Sequence, residues 1–282
     1  MSDNTENVLV SSNWLAAHLN DADVKIVDGS WYMAAENRDP HDEYATAHLP
    51  GAVYFDIDAI SDTSNPLPHM FPDTNTFAAA VSKLGIANGD HIVTYDGGSM
   101  AAAGRVWWMF RAFGHERVSV LDGGMRKWRE DGGAVDSGTA DPAPTSYTAR
   151  LKPELVRSLD DVLSLIEDQR EQILDARSTG RFNAVETEPR AGMRSGHMPG
   201  AYNLPYLDLL AEDGTMRPIE ELKRHFTESG IDFSKPIVTS CGSGVSATVL
   251  LLGLHLLGHE KNALYDGSWT EWGGRADTPI ET

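Results

Sequence analysis

An internal repeat constrains the fold of this chain more than any other feature of its sequence. Three segments and one tryptophan of the first half recur in the second half, at nearly constant separations of 144 to 149 residues. The matched pairs are His48–Ala52 with His197–Ala201, Leu84–Thr94 with Ser229–Thr239, Phe113–Gly123 with Leu257–Gly267, and Trp128 with Trp272. The chain therefore contains the same fold twice, in two units of roughly 130–140 residues each.

Within each unit, apolar β-branched runs alternate with helical patterns. In the first unit the runs predict strands at Val24–Asp28, Ala52–Phe55, His91–Tyr95 and Val118–Leu121. Helical or irregular structure is expected at Asp39–Ala47, and helices at Thr76–Leu84, Ala101–Phe113 and Gly124–Asp131. The second unit repeats this order from Ile173 onward. The alternation predicts an α/β fold in which each unit is a parallel sheet with helices on both faces.

Composition places the domain boundary. The stretch from Asp136 to Pro153 is rich in Pro, Thr, Ser and Ala and has few large apolar residues. Such a composition is typical of a connection between domains. We therefore predict a first domain at 1–140, a linker at 141–153 and a second domain at 154–282.

The charge balance excludes several classes of partner. The chain has 42 acidic and 23 basic side chains, which gives a formal net charge of −19. So acidic a protein is not expected to bind nucleic acid or an anionic membrane surface. The first six residues are polar and acidic, unlike a secretory or transit peptide. A single cysteine excludes an intrachain disulfide framework and suits a reducing compartment. Together these features predict a cytoplasmic protein.

That single cysteine, Cys241, is the strongest candidate for a reactive group. It stands at the end of the apolar run Ile237–Ser240, and a helical pattern begins at Ala247. This strand–loop–helix arrangement aims backbone N–H groups and the positive end of a helix dipole at the sulfur. Such surroundings favour the thiolate, which is the nucleophilic form of a thiol. The alternative is a small buried hydrophobe, but such a cysteine would more naturally lie inside the run than after it.

The repeat provides a comparison within one sequence. Aligning Val93–Gly97 with Val238–Gly242 places Asp96 where the second unit has Cys241. The first unit therefore keeps the scaffold without the nucleophile, and we expect it to be non-catalytic. For Asp96 we expect hydrogen bonds to its own turn rather than an independent site.

The whole chain resembles the two-domain rhodanese-type sulfurtransferases. The segments that carry the resemblance are His48–Asp56 in the first unit, Asp266–Trp272 at the carboxyl end, and the loop Cys241–Ser246. Thiosulfate sulfurtransferases have two basic residues directly after the cysteine. The uncharged loop of this chain is instead similar to that of 3-mercaptopyruvate sulfurtransferases, with serine rather than threonine at position 246.

The resemblance implies a sulfur-transfer reaction and the residues that perform it. The Cys241 thiolate would take sulfur from 3-mercaptopyruvate, a small 2-oxo acid, release pyruvate and become a persulfide. A thiol such as thioredoxin, or cyanide, would then accept the outer sulfur. The backbone of Gly242, Ser243, Gly244, Val245 and Ser246 can surround the persulfide, although the two glycines could equally serve a plain tight turn. No cofactor and no metal site is expected.

Two arginines match those that the subfamily uses to hold the donor's carboxylate and carbonyl. Arg181 and Arg190 bracket the segment 182–189, and arginine meets a carboxylate with two parallel hydrogen bonds. Without the resemblance they would be read as surface arginines. Of their neighbours, Arg177 is expected to make a structural contact after a strand, and Arg194 to lie on the surface.

The proton chemistry has two interpretations. Ser243, His48 and Asp39 match a serine–histidine–aspartate relay proposed for the subfamily, in which a histidine–carboxylate pair orients the hydroxyl. Alternatively, His48 only stabilises the His-Leu-Pro-Gly turn, as His197 is expected to do in the second unit.

Three other functions would each leave a distinct sign in the sequence. A cysteine phosphatase would carry arginine six residues after the cysteine, where this chain has Ala247, so that class is excluded. Thiosulfate sulfurtransfer is disfavoured because the uncharged loop offers a dianionic donor no local countercharge. A non-enzymatic sulfur carrier or binding module fits the first unit but not the second, which has both a placed thiol and placed arginines.

Overall fold

The computed structural model describes residues 8–282, which form two compact units. The first unit takes the described residues up to Thr63, with Phe71–Lys152 and Glu212–Thr215. The second takes Ser64–Met70, Pro153–Ala211 and Met216–Thr282. Residues 1–6, on which the expectation about a leader peptide depends, lie outside the described residues.

The first unit is built on a five-stranded parallel sheet. Its strands are β1 (Leu9–Val10), β2 (Val24–Asp28), β3 (Val53–Tyr54), β4 (His91–Tyr95) and β5 (Val118–Leu121). They lie side by side in the order β1-β5-β4-β2-β3, so β4 is central. The helices of this unit are α1 (Ser12–His18), α2 (Pro40–Thr46), α3 (Thr74–Lys83), α4 (Ala101–Ala112) and α5 (Gly124–Glu130).

The second unit repeats this topology. Its strands are β6 (Val156–Arg157), β7 (Gln172–Asp175), β8 (Tyr202–Asn203), β9 (Ile237–Ser240) and β10 (Asn262–Tyr265). All pairs are parallel and the order is β6-β10-β9-β7-β8, with β9 central. Its helices are α6 (Leu159–Asp168), α7 (Thr179–Phe182), α8 (Ile219–Glu228), α9 (Ala247–Leu256) and α10 (Ser268–Trp272). The expected α/β fold with two parallel sheets is confirmed.

Helices cover both faces of the first sheet because side chains alternate along each strand. Val93 and Tyr95 of β4 join a core cluster with Tyr44 of α2 and Trp128 of α5. Thr94, between them in sequence, faces the opposite side and donates to the Ala103 carbonyl of α4 at 3.1 Å. Each strand is thus buried on both faces, which explains the continuous apolar runs in the sequence.

Side-chain caps fix where several helices begin. The Asp73 carboxylate accepts from the first-turn amides of α3, and Ser158 forms a capping box with Asp161 at α6. Asp39 caps α2, whose first residue is Pro40. Each cap satisfies backbone donors that the helix itself cannot bond.

Residues 141–152 form no helix or strand and lie along the first unit. The Arg150 amide donates to the Phe113 carbonyl at 2.9 Å and the Lys152 amide to that of Ala112 at 2.7 Å. Tyr147 is buried. A bilayer-spanning helix is absent from residues 8–282, since none of their helices combines the length and apolar composition that it would need.

Candidate active site around Cys241

Cys241 lies at the carboxyl end of the central strand of the second sheet. It directly follows β9, its side chain is buried, and α9 begins six residues later. Gly244 has φ +74°, a left-handed conformation that glycine adopts without steric cost. The buried apolar helix α9 anchors the far end of the loop. The position is the one at which parallel α/β sheets bind ligands.

The first turn of α10 holds the backbone of the cysteine loop. The Cys241 amide donates to Ser268 Oγ at 3.2 Å, and the Trp269 amide donates to the Cys241 carbonyl at 3.0 Å. Thr270 donates twice to the Gly242 carbonyl, from its amide at 2.8 Å and from Oγ1 at 2.6 Å. The segment 266–272 contributes to the family resemblance, but the sequence alone indicates no role for Ser268 or Thr270 within it.

Both predicted binding arginines converge on the residue that follows Cys241. A Cβ placed on Gly242 would lie 3.2 Å from Arg181 Nη2 and 3.6 Å from Arg190 Nη1. Arg181 belongs to α7, which is capped by Ser178, and both arginines are half-buried. The loop glycine leaves room for these guanidinium groups, so two cations lie beside the residue that follows Cys241.

Glu188 is a residue of the candidate site that was not singled out from the sequence. Its carboxylate is only 4% exposed and is shared by two arginines. It accepts from Arg181 Nε at 3.2 Å and Nη2 at 2.5 Å, and from Arg177 Nη1 at 2.7 Å. Because Glu188 engages Nε and one N–H of Nη2, Arg181 can offer a ligand the second N–H of Nη2, the nitrogen beside Gly242, and the N–H groups of Nη1. The signal was present in the sequence, since Glu188 stands between the two arginines.

Arg177 is a structural residue, as expected. Its guanidinium binds both oxygens of Asp175, the Glu188 carboxylate and the Gly196 carbonyl, and it lies 4.2 Å from the Trp269 ring centroid. Burial alone would lower the pKa of Arg177, but the adjacent carboxylates outweigh that effect and raise it. A cation so fully engaged is not available to a ligand.

The expectation that Arg194 lies on the surface is wrong. Arg194 is half-buried and bonds the carbonyls of Gly273 at 3.2 Å, Trp272 at 3.0 Å and Thr278 at 3.0 Å, as well as the Thr278 hydroxyl. These partners lie 78 to 84 residues away in sequence, so no local pattern marked them. Arg194 ties the chain after α10 to the rest of the second unit.

Asp96 bonds its own turn in the first unit, as expected. Its Oδ1 accepts from the amides of Gly98 at 2.9 Å and Met100 at 3.2 Å, and its Oδ2 accepts from Ala103 at 2.9 Å. Burial raises the pKa of Asp96, while these amide bonds act in the opposite direction. At the position that corresponds to Cys241, the first unit thus has a carboxyl group that accepts three backbone N–H groups.

His48 is held by its own turn. The ring is buried, its Nδ1 donates to the Tyr44 carbonyl at 2.8 Å, and it stacks on the Tyr44 ring. Its backbone pairs with Asp136 in both directions. His197 is bonded similarly in the second unit, from Nδ1 to the Phe182 carbonyl at 2.9 Å.

Asp39 and His48 are not in direct contact. Asp39 Oδ1 accepts the amides of His41 at 2.9 Å and Asp42 at 3.2 Å as the cap of α2. His48 follows the other end of that helix, which spans roughly 10 Å at 1.5 Å per residue. Ser243, the third residue of the expected relay, is buried in the second unit. Among residues 8–282, no three His, Cys, Asp or Glu side chains form a metal-binding group.

Comparison with known proteins places this architecture in a family. The rhodanese-like domain model matches twice, over residues 11–131 and 158–275. The chain therefore belongs to the rhodanese family, in a two-domain form, which confirms the resemblance seen in the sequence.

Named relatives cover almost the whole chain. A thiosulfate/3-mercaptopyruvate sulfurtransferase of Arabidopsis thaliana is 45% identical over 99% of this chain and 79% of its own length. The 3-mercaptopyruvate sulfurtransferase of Escherichia coli K12 is 44% identical over 96% of this chain and 97% of its own. The crystal structure of the Escherichia coli 3-mercaptopyruvate sulfotransferase SseA is similar with a TM-score of 0.86 at 41% identity, covering 93% of this chain and 98% of that one.

Proposed function

We propose that this chain is a 3-mercaptopyruvate sulfurtransferase that carries sulfur as a persulfide on Cys241. The observation that carries the proposal is the convergence of Arg181 and Arg190 on the glycine next to the only cysteine. A nucleophilic sulfur beside two guanidinium groups suits a donor that has a reactive sulfur at one end and a carboxylate and carbonyl at the other.

The reaction has two steps. The Cys241 thiolate attacks the thiol sulfur of 3-mercaptopyruvate and forms an S–S bond. The carbon–sulfur bond breaks, its electron pair goes to the pyruvate enolate, and protonation at carbon gives pyruvate. A thiolate such as that of thioredoxin, or cyanide, then attacks the outer sulfur of the persulfide, and Cys241 leaves as thiolate. No cofactor is needed, because the electrons balance between donor and acceptor.

The backbone amides of Gly242 to Ser246 are proposed to stabilise the persulfide anion. Support comes from the first unit, where the Asp96 carboxyl accepts the amides of Gly98 and Met100 in the corresponding loop and that of Ala103 in the first turn of α4. The same strand–loop–helix design can therefore surround an anionic group that follows the central strand.

Arg181 and Arg190 are proposed to bind the carboxylate and the carbonyl of the donor together. Arg181 presents Nη1 and the second N–H of Nη2, because Glu188 engages Nε and the first N–H of Nη2. Arg190 contributes the second guanidinium. Their positive charge compensates the donor's carboxylate in a half-buried site. The loop itself adds no cation, which favours a monoanionic donor over thiosulfate.

A relay through Ser243, His48 and Asp39 is proposed to protonate the enolate. In this relay Asp39 acts without a direct bond to His48, because each of the two is bonded to its own part of the chain. Comparing the rates of persulfide formation and of pyruvate release in His48→Gln tests this part. Slower pyruvate release at an unchanged rate of persulfide formation would support the relay, and unchanged rates of both would reject it.

Intact mass spectrometry tests the main proposal. The protein is mixed with 3-mercaptopyruvate or with thiosulfate, without an acceptor, and the mass gain is measured. We expect one added sulfur atom on the wild type with 3-mercaptopyruvate, and none on Cys241→Ser, since oxygen cannot carry the persulfide. An adduct that persists on Cys241→Ser, or one formed only with thiosulfate, would reject the proposal.

Arginine variants test the binding role. Arg181→Ala and Arg190→Ala should each lower kcat/KM for 3-mercaptopyruvate, because charge-assisted hydrogen bonds to the donor are lost. The expected decrease corresponds to roughly 2–4 kcal/mol in activation free energy. Arg181→Lys and Arg190→Lys should retain only part of the wild-type kcat/KM, because a lysine cannot make two parallel hydrogen bonds. The matched control is Arg224→Ala, because Arg224 is exposed and makes only an i,i+4 contact with Glu228. Equal losses in the control and in the two site variants would place carboxylate recognition elsewhere.

A further inference from the structure

The two units hold the backbone of their loops after the central strand in different ways. In both, an amide from the fifth helix of the unit donates to the carbonyl of the first loop residue: Met125 to Asp96, and Trp269 to Cys241, each at 3.0 Å. The catalytic unit adds two hydroxyl contacts, from Ser268 and Thr270. The repeat places Gly124 and Arg126 at these two positions in the first unit. The two hydroxyls therefore occur in the unit that has the cysteine and not in the unit that has Asp96 in its place.

The Thr270 contacts fix the orientation of one peptide unit. A trans peptide is planar, so its C=O and N–H groups point in opposite directions. The Gly242 carbonyl is held by both the amide and the hydroxyl of Thr270. The Ser243 amide, which belongs to the same peptide unit, must therefore point away from α10.

The first unit shows where the equivalent amide points. There the Gly97 carbonyl is held by Arg38 at 3.2 Å. The Gly98 amide of the same peptide unit donates to the Asp96 carboxylate at 2.9 Å. The residue that bonds the carbonyl differs between the units, since Arg38 precedes α2 and Thr270 belongs to α10, but in the first unit the N–H of this peptide reaches the side chain two residues earlier. In the second unit that side chain is Cys241.

We propose that Thr270 is a positioning residue that aims the Ser243 amide at the sulfur of Cys241. The hydroxyl contributes the second of two hydrogen bonds to the Gly242 carbonyl, and so favours the loop conformation in which Ser243 N–H faces a thiolate or a persulfide anion. The proposal extends the proposed function, since it takes Cys241 as the sulfur carrier. It assigns Thr270 no contact with donor or acceptor.

Alkylation of Cys241 by iodoacetamide across a pH series tests the proposal, and the single cysteine makes the readout specific. Thr270→Val removes the hydroxyl but keeps the shape and the backbone amide. We expect its alkylation to reach half-maximal rate at a higher pH than in the wild type, with a rate at neutral pH lower by roughly 3–10-fold. Thr270→Ser, which restores the hydroxyl, should stay within about twofold of the wild type.

Thr278→Val is the matched control. Thr278 is also buried near α10 and donates from Oγ1 to the Trp272 carbonyl, but it makes no bond to the cysteine loop. It should lower stability without moving the pH profile of alkylation. A wild-type profile for Thr270→Val, or a profile for Thr278→Val that shifts as much, would overturn the proposal.

A second measurement needs no substitution. In ¹⁵N-labelled wild-type protein the Ser243 amide proton should change chemical shift with the same pH midpoint as alkylation, because it donates to the sulfur as the thiolate forms. A Ser243 shift that does not follow this midpoint would overturn the proposal even if Thr270→Val fails to fold. Neither measurement uses a sulfur donor, so absence of a persulfide with 3-mercaptopyruvate would reject the proposed function alone.

Discussion

At the scale of single residues, the charge arrangement beside Cys241 depends on Glu188. Its buried carboxylate accepts three N–H groups from two guanidinium groups, Arg177 and Arg181. Arg177 has further partners in Asp175 and the Gly196 carbonyl, whereas Arg181 faces the cysteine loop. Glu188 therefore determines where Arg181 stands and which of its edges remains for a donor.

Substituting Glu188 by Gln should impair both stability and catalysis. Glutamine offers one oxygen to three donors and turns its NH₂ group towards a guanidinium, so Arg181 would be displaced. We expect a loss of roughly 3 kcal/mol in the free energy of unfolding, typical of a broken buried ion pair. We also expect a fall of about tenfold or more in kcat/KM for 3-mercaptopyruvate.

The measurements are urea unfolding and steady-state kinetics. Glu167→Gln is the control, because Glu167 lies exposed in α6. If Glu188→Gln kept wild-type kinetics despite lower stability, Arg181 would not depend on Glu188 for its position.

At the scale of secondary-structure elements, Arg194 links the chain before β8 to the chain after α10. Its guanidinium bonds four acceptors on Trp272, Gly273 and Thr278. Arg194→Ala should lower the free energy of unfolding by roughly 2–4 kcal/mol, because buried carbonyls would lose charge-assisted bonds. Urea unfolding measures the loss. Arg170→Ala serves as the surface control and should change stability by less than about 0.5 kcal/mol, since Arg170 is exposed beside Asp168.

Elements with a long apolar run were predictable from the sequence, and most of the shortest ones were not. The two-residue strand β3 is an exception, since it lies within the predicted strand Ala52–Phe55. The predicted strands at Val24–Asp28, His91–Tyr95 and Val118–Leu121 are present with the same bounds. No element was predicted before Val24, because a two-residue edge strand such as β1 has no period to detect. The same limit applies to β6.

The residues of the candidate site likewise fall into those that the sequence indicates and those that it does not. Cys241 and its loop could be recognised because strand, thiol and glycines are adjacent in sequence. Thr270 acts on a carbonyl 28 residues away, and Arg194 on carbonyls nearly 80 residues away. Such contacts exist only after the sheet has brought distant segments together. Position in the repeat was the available sequence signal for Thr270, since the first unit has Arg126 there.

The repeat also preserves an arginine–glutamate pair beside each loop. Arg38 bonds Glu43 through Nε at 2.7 Å and Nη2 at 2.5 Å, as Arg181 bonds Glu188. A Cβ on Gly97 would lie 3.3 Å from Arg38 Nη2, and one on Gly242 would lie 3.2 Å from Arg181 Nη2. The two units therefore share the charged surroundings of the loop and differ in the group at its start, which is a carboxyl in one and a thiol in the other.

At the scale of the whole molecule, the dominant property is the net charge of −19. Opposing effects act when salt is added: it screens repulsion among the 42 acidic side chains and weakens ion pairs with the 23 basic ones. Most of the ion pairs other than those around Arg177 and Glu188 are partly exposed, and such pairs each contribute little to stability. The buried pairs are screened much less than exposed ones. Repulsion should therefore dominate the response to salt.

We expect thermal stability to rise with salt. Raising KCl from about 0.01 M to about 0.15 M shortens the Debye length from roughly 30 Å to roughly 8 Å, which removes most long-range repulsion. A gain of about 1 kcal/mol would raise Tm by about 2–4 °C in a chain of this size. Differential scanning fluorimetry measures the shift, with a neutral solute at matched osmolality as control. A constant or falling Tm would mean that the ion pairs, among them those that Glu188 makes beside the cysteine loop, contribute more to stability than the acidic surface takes away.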